Sequence, residues 1–134
     1  MRRGIMFNII DTTAGVKADL APLTYDPNYE TAFARRIRQT FKDTTGEQFE
    51  AWCAQPTDII IGKLRAWAEG RSNKHPSDIY EMLVFWLSDL QTLDIELTDI
   101  EEIVTQLGDE TLTLWHDLFM RASIDAQKLR KAEG

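Results

Sequence analysis

The sequence predicts an α+β fold, a small sheet of about three strands packed against four to five helices, and three observations predict it. Short runs with a period of two are confined to the first 55 residues. From Pro56 onward the apolar residues recur at helical spacing. The chain of 134 residues has ordinary apolar content, enough for one domain with a single core and too little for two independent ones. The expected organisation is a single domain over 1–134, with a partial sheet region and one helix over 1–55 and a helical half over 56–134.

The first strands are IMFNIID and VKADLAPL, joined by Thr12, Thr13, Ala14 and Gly15, a hairpin in which Gly15 supplies a positive φ. Alternation puts Val16, Ala18 and Leu20 on one face and Lys17, Asp19 and Ala21 on the other. Asp26 as N-cap and Pro27 at the first helical position then start a helix. Tyr29, Phe33, Ile37 and Phe41, four residues apart, carry it through Phe41. Gly46 interrupts that pattern. QFEAWCAQ alternates Phe49, Ala51 and Cys53 against Gln48, Glu50 and Trp52, a third strand.

Pro56 opens a helix that Gly70 closes, with Ile60, Leu64 and Trp67 as its stripe and Ile59 on the flank. Pro76 starts the next, which uses Ile79, Leu83 and Trp86 and has Asp78 in its first turn, where a carboxylate suits the helix dipole. Thr98 or Asp99 begins a helix through Ile100, Ile103, Val104 and Leu107 that Gly108 ends. Leu112, Trp115, Leu118, Phe119 and Ile124 define the last helix, and the tail KLRKAEG is expected to fray. No internal repeat or low-complexity tract is present.

Charge narrows the partners. Fifteen basic against 22 acidic residues give a net charge of −7, so most of the surface should repel phosphate backbones and non-specific nucleic-acid binding is not expected. The single cysteine, Cys53, cannot form an internal disulfide, and His75 and His116 make no zinc-ligand cluster with it. A reducing cytoplasm is expected. Asp11 stops the opening apolar run after about six residues, short of a signal-peptide core, and no run reaches membrane-spanning length.

Chemistry concentrates in PTDIIIGKLRAWAEGRSNKHPSDIYEMLVF, residues 56–85, where Lys63 and Asp78 each sit at the edge of an apolar stripe. A lysine there can bury its stem against Ile59 and Trp67, direct its ammonium to a phosphate, and take orientation from Asp78. The same two residues equally make a partly buried salt bridge tying antiparallel helices together. The turn from Gly70 to His75 sets Arg71 and Lys74 beside a helix N-terminus as a plausible anion cradle, or as a solvated turn. His75 could shuttle a proton, although a loop histidine without a partner is usually unremarkable. Asp19 could ligate a divalent cation or simply be solvated. Asp94 and Glu96 form a D-x-E spacing without a preceding Gly-Ser turn and read as solvated acids. Arg35, Arg36 and Arg38 could meet a nucleic-acid acceptor or make internal ion pairs.

FNIID, the Gly-bearing turn, VKADLAPL, FARRIR and the segment from Gln55 to Phe85 together resemble the C-terminal portion of small bacterial nucleotidyltransferase-like proteins. These belong to the DNA polymerase β-like superfamily and are related to abortive-infection and type IV toxin nucleotidyltransferases. The resemblance runs from Phe7 to Trp115, and its most specific part is Pro56, Asp58, Lys63, the Gly70-Arg71 turn and Asp78-Ile79-Tyr80. It implies a Gly-Ser turn and a D-x-D strand that contact nucleotide phosphate and supply two of three metal ligands, with a third carboxylate on a neighbouring strand. Asp19 matches that third carboxylate, and Lys63 and Asp78 match the downstream pair.

The chain contains no Gly-Ser dipeptide and no D-x-D. The expectation is therefore a truncated or degenerate nucleotidyltransferase-like protein, inactive alone, with Asp19, Lys63 and Asp78 as catalytic residues, Asp19 as metal ligand, and Lys63, Arg71 and Lys74 on phosphate. A late start codon, a true truncation or a partner that supplies the missing strands would each account for the gap. A complete form would carry a nucleotide from an NTP to a protein or RNA acceptor with Mg²⁺. Missing strands would leave a sheet edge open to a homo-oligomeric or heteromeric partner. The alternative is a non-enzymatic interaction module, antitoxin-like or regulatory.

Overall fold

Two compact units, Met1–Gln55 and Pro56–Gly134, make up the chain. The structure, a computed structural model, describes residues 7–23, 27–88 and 94–133. The fold is α+β, with five helices and two small antiparallel sheets among the described residues. Ile5 and Met6, expected to begin the first strand, and the expected N-cap Asp26 lie outside the described residues.

In the first unit, β1 (Phe7–Asp11) pairs with β2 (Val16–Leu20), Asn8 opposite Asp19 and Ile10 opposite Lys17. The helix α1 (Pro27–Ala34) follows, then β3 (Ile37–Lys42) paired with β4 (Gln48–Cys53). Both hairpins close in the same way. Asp11 Oδ1 accepts from the Thr13 and Ala14 amides at 2.9 and 3.1 Å, and Asp43 Oδ1 accepts from the Thr45 and Glu47 amides at 2.8 and 3.0 Å. Each turn reads Asp-Thr-Thr and ends on a glycine in the left-handed region, Gly15 at φ 67° and Gly46 at φ 85°. An aspartate that bonds backbone amides just ahead of it, followed by a residue free to take positive φ, is a self-sufficient reversal.

The helix predicted through Phe41 stops at Ala34, and the expected three-stranded sheet is instead two separate two-stranded sheets. The cause is an ambiguity of spacing: residues four apart share a face of a helix and also of a strand, so Ile37 and Phe41 fit both periods. Pairing decides it. Six residues of β3 find partners in β4, with Phe41 opposite Phe49 and their rings stacked 5.6 Å apart.

In the second unit, α2 (Pro56–Gly70), α3 (Lys74–Leu87), α4 (Leu97–Leu107) and α5 (Asp109–Glu133) surround one core. Ile60 and Leu64 of α2, Ile79 and Leu83 of α3, Ile100 and Val104 of α4, and Trp115 and Leu118 of α5 form it, with Ile95 between. Thr57, 2% exposed, accepts the Glu96 amide at 2.9 Å and so ties the start of α2 to the start of α4. The last helix runs through Glu133, so the tail expected to fray is helical to that residue. Ile124, expected in the core, is 50% exposed, and Ala122 and Ala126 are buried instead. Ile124 stands nine residues beyond Trp115, about two and a half helical turns, and so faces the opposite side. No helix is long and apolar enough to cross a membrane among the described residues.

Candidate functional site

Helical spacing carries Lys63 to the edge of the α2 stripe and Asp78 to the corresponding edge of α3. The Lys63 Nζ donates to Asp78 Oδ2 at 2.7 Å, with the side chains 26% and 32% exposed. The Lys63 ammonium, donating to the carboxylate, lowers the Asp78 pKa below its ordinary value; partial burial opposes this, and the charges of Lys74 and His75 add to it. Asp78 is thus an anion among three groups of basic character, and Lys63 is held beside it with about a quarter of its side chain exposed.

The helix α3 begins at Lys74, two residues before the expected Pro76, which moves Asp78 out of the first turn. Asn73 already has helical angles, φ −66° and ψ −13°, and Pro76, which lacks an N–H, falls where the first amides have no intrahelical partner. The dipole argument for Asp78 therefore weakens, and the pairing with Lys63 carries its ionisation.

Arg71 takes φ 58°, unusual for a residue with a side chain, and its amide donates to the Trp67 carbonyl at 2.8 Å as α2 ends. Its guanidinium lies 4.2 Å from the Trp67 ring centroid and pairs with Glu110. Together with Asp109 and Thr113 these residues line an open groove of about 490 Å³. A phosphate would reach Arg71 only by displacing Glu110 in a setting made acidic by Asp109. Lys74 is exposed. The Nδ1 of His75 is buried without a hydrogen-bond partner among the described residues.

Asp19 belongs to the first unit. Its carboxylate is 53% exposed and lies 3.3 Å from Lys17 Nζ on the same strand face, with Asn8 directly across the ladder. One carboxylate beside an ammonium does not by itself fit Mg²⁺, which takes oxygen ligands in a near-octahedral set. Among the described residues no group of three or more His, Cys, Asp or Glu side chains could hold a metal ion. Asp94 and Glu96 are exposed.

Two features have no local signature in the sequence, and a third has only a faint one. Tyr80 donates to Asp125, 45 residues away, at the mouth of a cleft of about 350 Å³ that Arg121 and Ile124 also line. That hydrogen bond, with burial and the carboxylate charge behind it, raises the Tyr80 pKa; it also lowers that of Asp125, with help from Lys128. Trp115 Nε1 donates to Glu101 Oε1 at 2.7 Å. Arg36 lies between two rings, 4.0 Å from the Phe33 centroid and 4.8 Å from that of Trp52. Only the cluster of arginines around Arg36 hinted at the last. No family model, curated protein or solved structure matches the chain.

Proposed function

We propose that the chain is a nucleotidyltransferase-like protein whose helical unit carries a phosphate-directing lysine, and that it does not complete a catalytic centre by itself. The observation that supports this best is the Lys63–Asp78 pair, closed at 2.7 Å with the carboxylate kept ionised. In this reading Asp78 positions the ammonium, Lys63 meets the phosphates of an NTP, and Lys74 adds positive charge nearby, with Arg71 joining it only after leaving Glu110. Asp19 is the carboxylate of the sheet region. Further carboxylates would have to join Asp19 to complete a Mg²⁺ site, and a completed form would pass a nucleotide to a protein or RNA acceptor in the cytoplasm.

Titrating an NTP into the labelled chain tests the phosphate role: amide resonances around Lys63 and the start of α3 shift, and the Lys63→Ala variant loses the response. A spectrum that stays still at millimolar NTP overturns it. Incubation with labelled NTP, magnesium and candidate acceptors gives no product from the chain alone, and labelled product would end the claim of incompleteness.

A second reading, an antitoxin-like or regulatory interaction module, is favoured by the first unit. Each of its four strands pairs on one side only among the described residues, and Ile9, Ile10, Val16, Phe41 and Phe49 are 40–61% exposed. Open edges with apolar side chains pair readily with further strands. A homo-oligomer or a heteromeric complex is expected in either reading. Light scattering that reports a monomer at every concentration, with no partner recovered, removes this part.

A further inference from the structure

The β3–β4 hairpin has two unlike faces. Register places Ile37, Phe41, Phe49, Ala51 and Cys53 on one and Arg38, Lys42, Glu50 and Trp52 on the other. On the second face Arg36 is held by a hydrogen bond from its Nη1 to the Phe33 carbonyl at 2.7 Å, with its guanidinium between the Phe33 and Trp52 rings. Arg38 lies 5.6 Å from the Trp52 centroid and its Nε is 2.9 Å from Glu50. Phe33 and Trp52 remain 49% and 57% exposed. The result is a column of planar groups, cationic and aromatic by turns, open to solvent.

We propose that this face binds single-stranded nucleic acid. Unpaired bases stack on indole rings and guanidinium planes alike, and Arg36 and Lys42 supply charge for the phosphates between them, with Arg38 joining them when it turns from Glu50. The net charge of the whole chain does not oppose this locally. Seven acidic and seven basic residues balance over 1–55, so the entire −7 belongs to the residues from Pro56 onward. Of the acids near the face, Glu50 is paired with Arg38, and the Asp43 carboxylate is drawn into its own turn, where it accepts from the Thr45 hydroxyl and the Glu47 backbone amide. An acidic peptide would answer the charge but leave the exposed rings without a stacking partner; a single strand answers both. The face uses none of Asp19, Lys63 or Asp78, so this inference stands or falls apart from the nucleotidyl-transfer reading.

Fluorescence anisotropy of a labelled oligouridylate added to the full chain tests it. Saturable binding is expected, weaker by roughly tenfold between about 50 and about 200 mM salt, as two or three phosphate contacts require. Trp52→Ala weakens binding about tenfold or more, while Trp52→Phe, which keeps a stacking ring, retains most of it. Gln39→Ala, an exposed position on the opposite face of the same hairpin, leaves affinity unchanged and shows that the loss belongs to the Trp52 face. A flat titration overturns the proposal, as does Trp52→Ala binding like the parent. Displacement of the probe by oligoglutamate as effectively as by unlabelled oligouridylate also overturns it, because that outcome means charge alone is read.

Discussion

The two units are held together by different means. From Pro56 onward, 12 apolar residues are buried, eight of them at 0% exposure along four helices, whereas none of the residues 8–23 and 27–55 is buried. A helix bundle satisfies its own backbone and needs only one face covered. A two-stranded sheet leaves both outer edges and both faces to be satisfied by something else, and alone it is marginal in water. The first unit compensates locally with aspartate-closed turns, a stacked Phe41–Phe49 pair, and a Gln55 side chain that donates to the Arg35 carbonyl at 2.7 Å. Burial thus stabilises one unit and turn chemistry the other.

The largest test of that contrast is Trp115→Ala. It removes a 1%-exposed ring and its bond to Glu101, and should cost about 3–5 kcal/mol in urea unfolding followed by far-UV circular dichroism. The matching change in the first unit, Phe49→Ala, should leave that helical transition in place. Equal losses from the two would erase the distinction.

A smaller effect is expected from Gly46→Ala. A Cβ there meets nothing within 4 Å, so the cost of about 1–2 kcal/mol is conformational and confined to the β3–β4 hairpin. Faster amide exchange in β3 and β4, with α2 to α5 unchanged, would show it. Exchange that quickens throughout the bundle would contradict the separation.

The smallest effect concerns Asp78→Asn, read through pH. The folded carboxyl titrates below the ordinary 3.8, so its pairing with Lys63 stabilises fully above that value and is lost as pH falls through the depressed pKa. Thermal melts of parent and variant should differ modestly at neutral pH and converge in strong acid. A difference that persists in acid would assign the effect to packing instead.

How far the sequence could be read follows the same division. Pro56 and Gly70 mark α2, and Gly108 closes α4 with φ 111°, because proline's fixed φ and glycine's freedom to take positive φ act locally. The Gly15 hairpin is legible for that reason, and so is the Lys63–Asp78 pairing, since both residues sit at the edges of readable stripes. What failed was where two periods agree, as at Ile37 and Phe41. Small residues also misled: Ala122 and Ala126 carry less apolar weight than Ile124, yet helix geometry buries them. Tyr80 and Asp125 meet through tertiary packing that no local pattern encodes.

Glu101 of α4 divides its two oxygens, Oε1 receiving the indole N–H of Trp115 and Oε2 lying 3.2 Å from His116 Nε2. A carboxylate can only accept, so this imidazole nitrogen must bear hydrogen for the contact to be a bond. Replacing the acid by its amide would not be a neutral exchange. With Oε1 kept for the indole, the NH₂ group would face Nε2 and demand a lone pair there, moving the ring to the other tautomer.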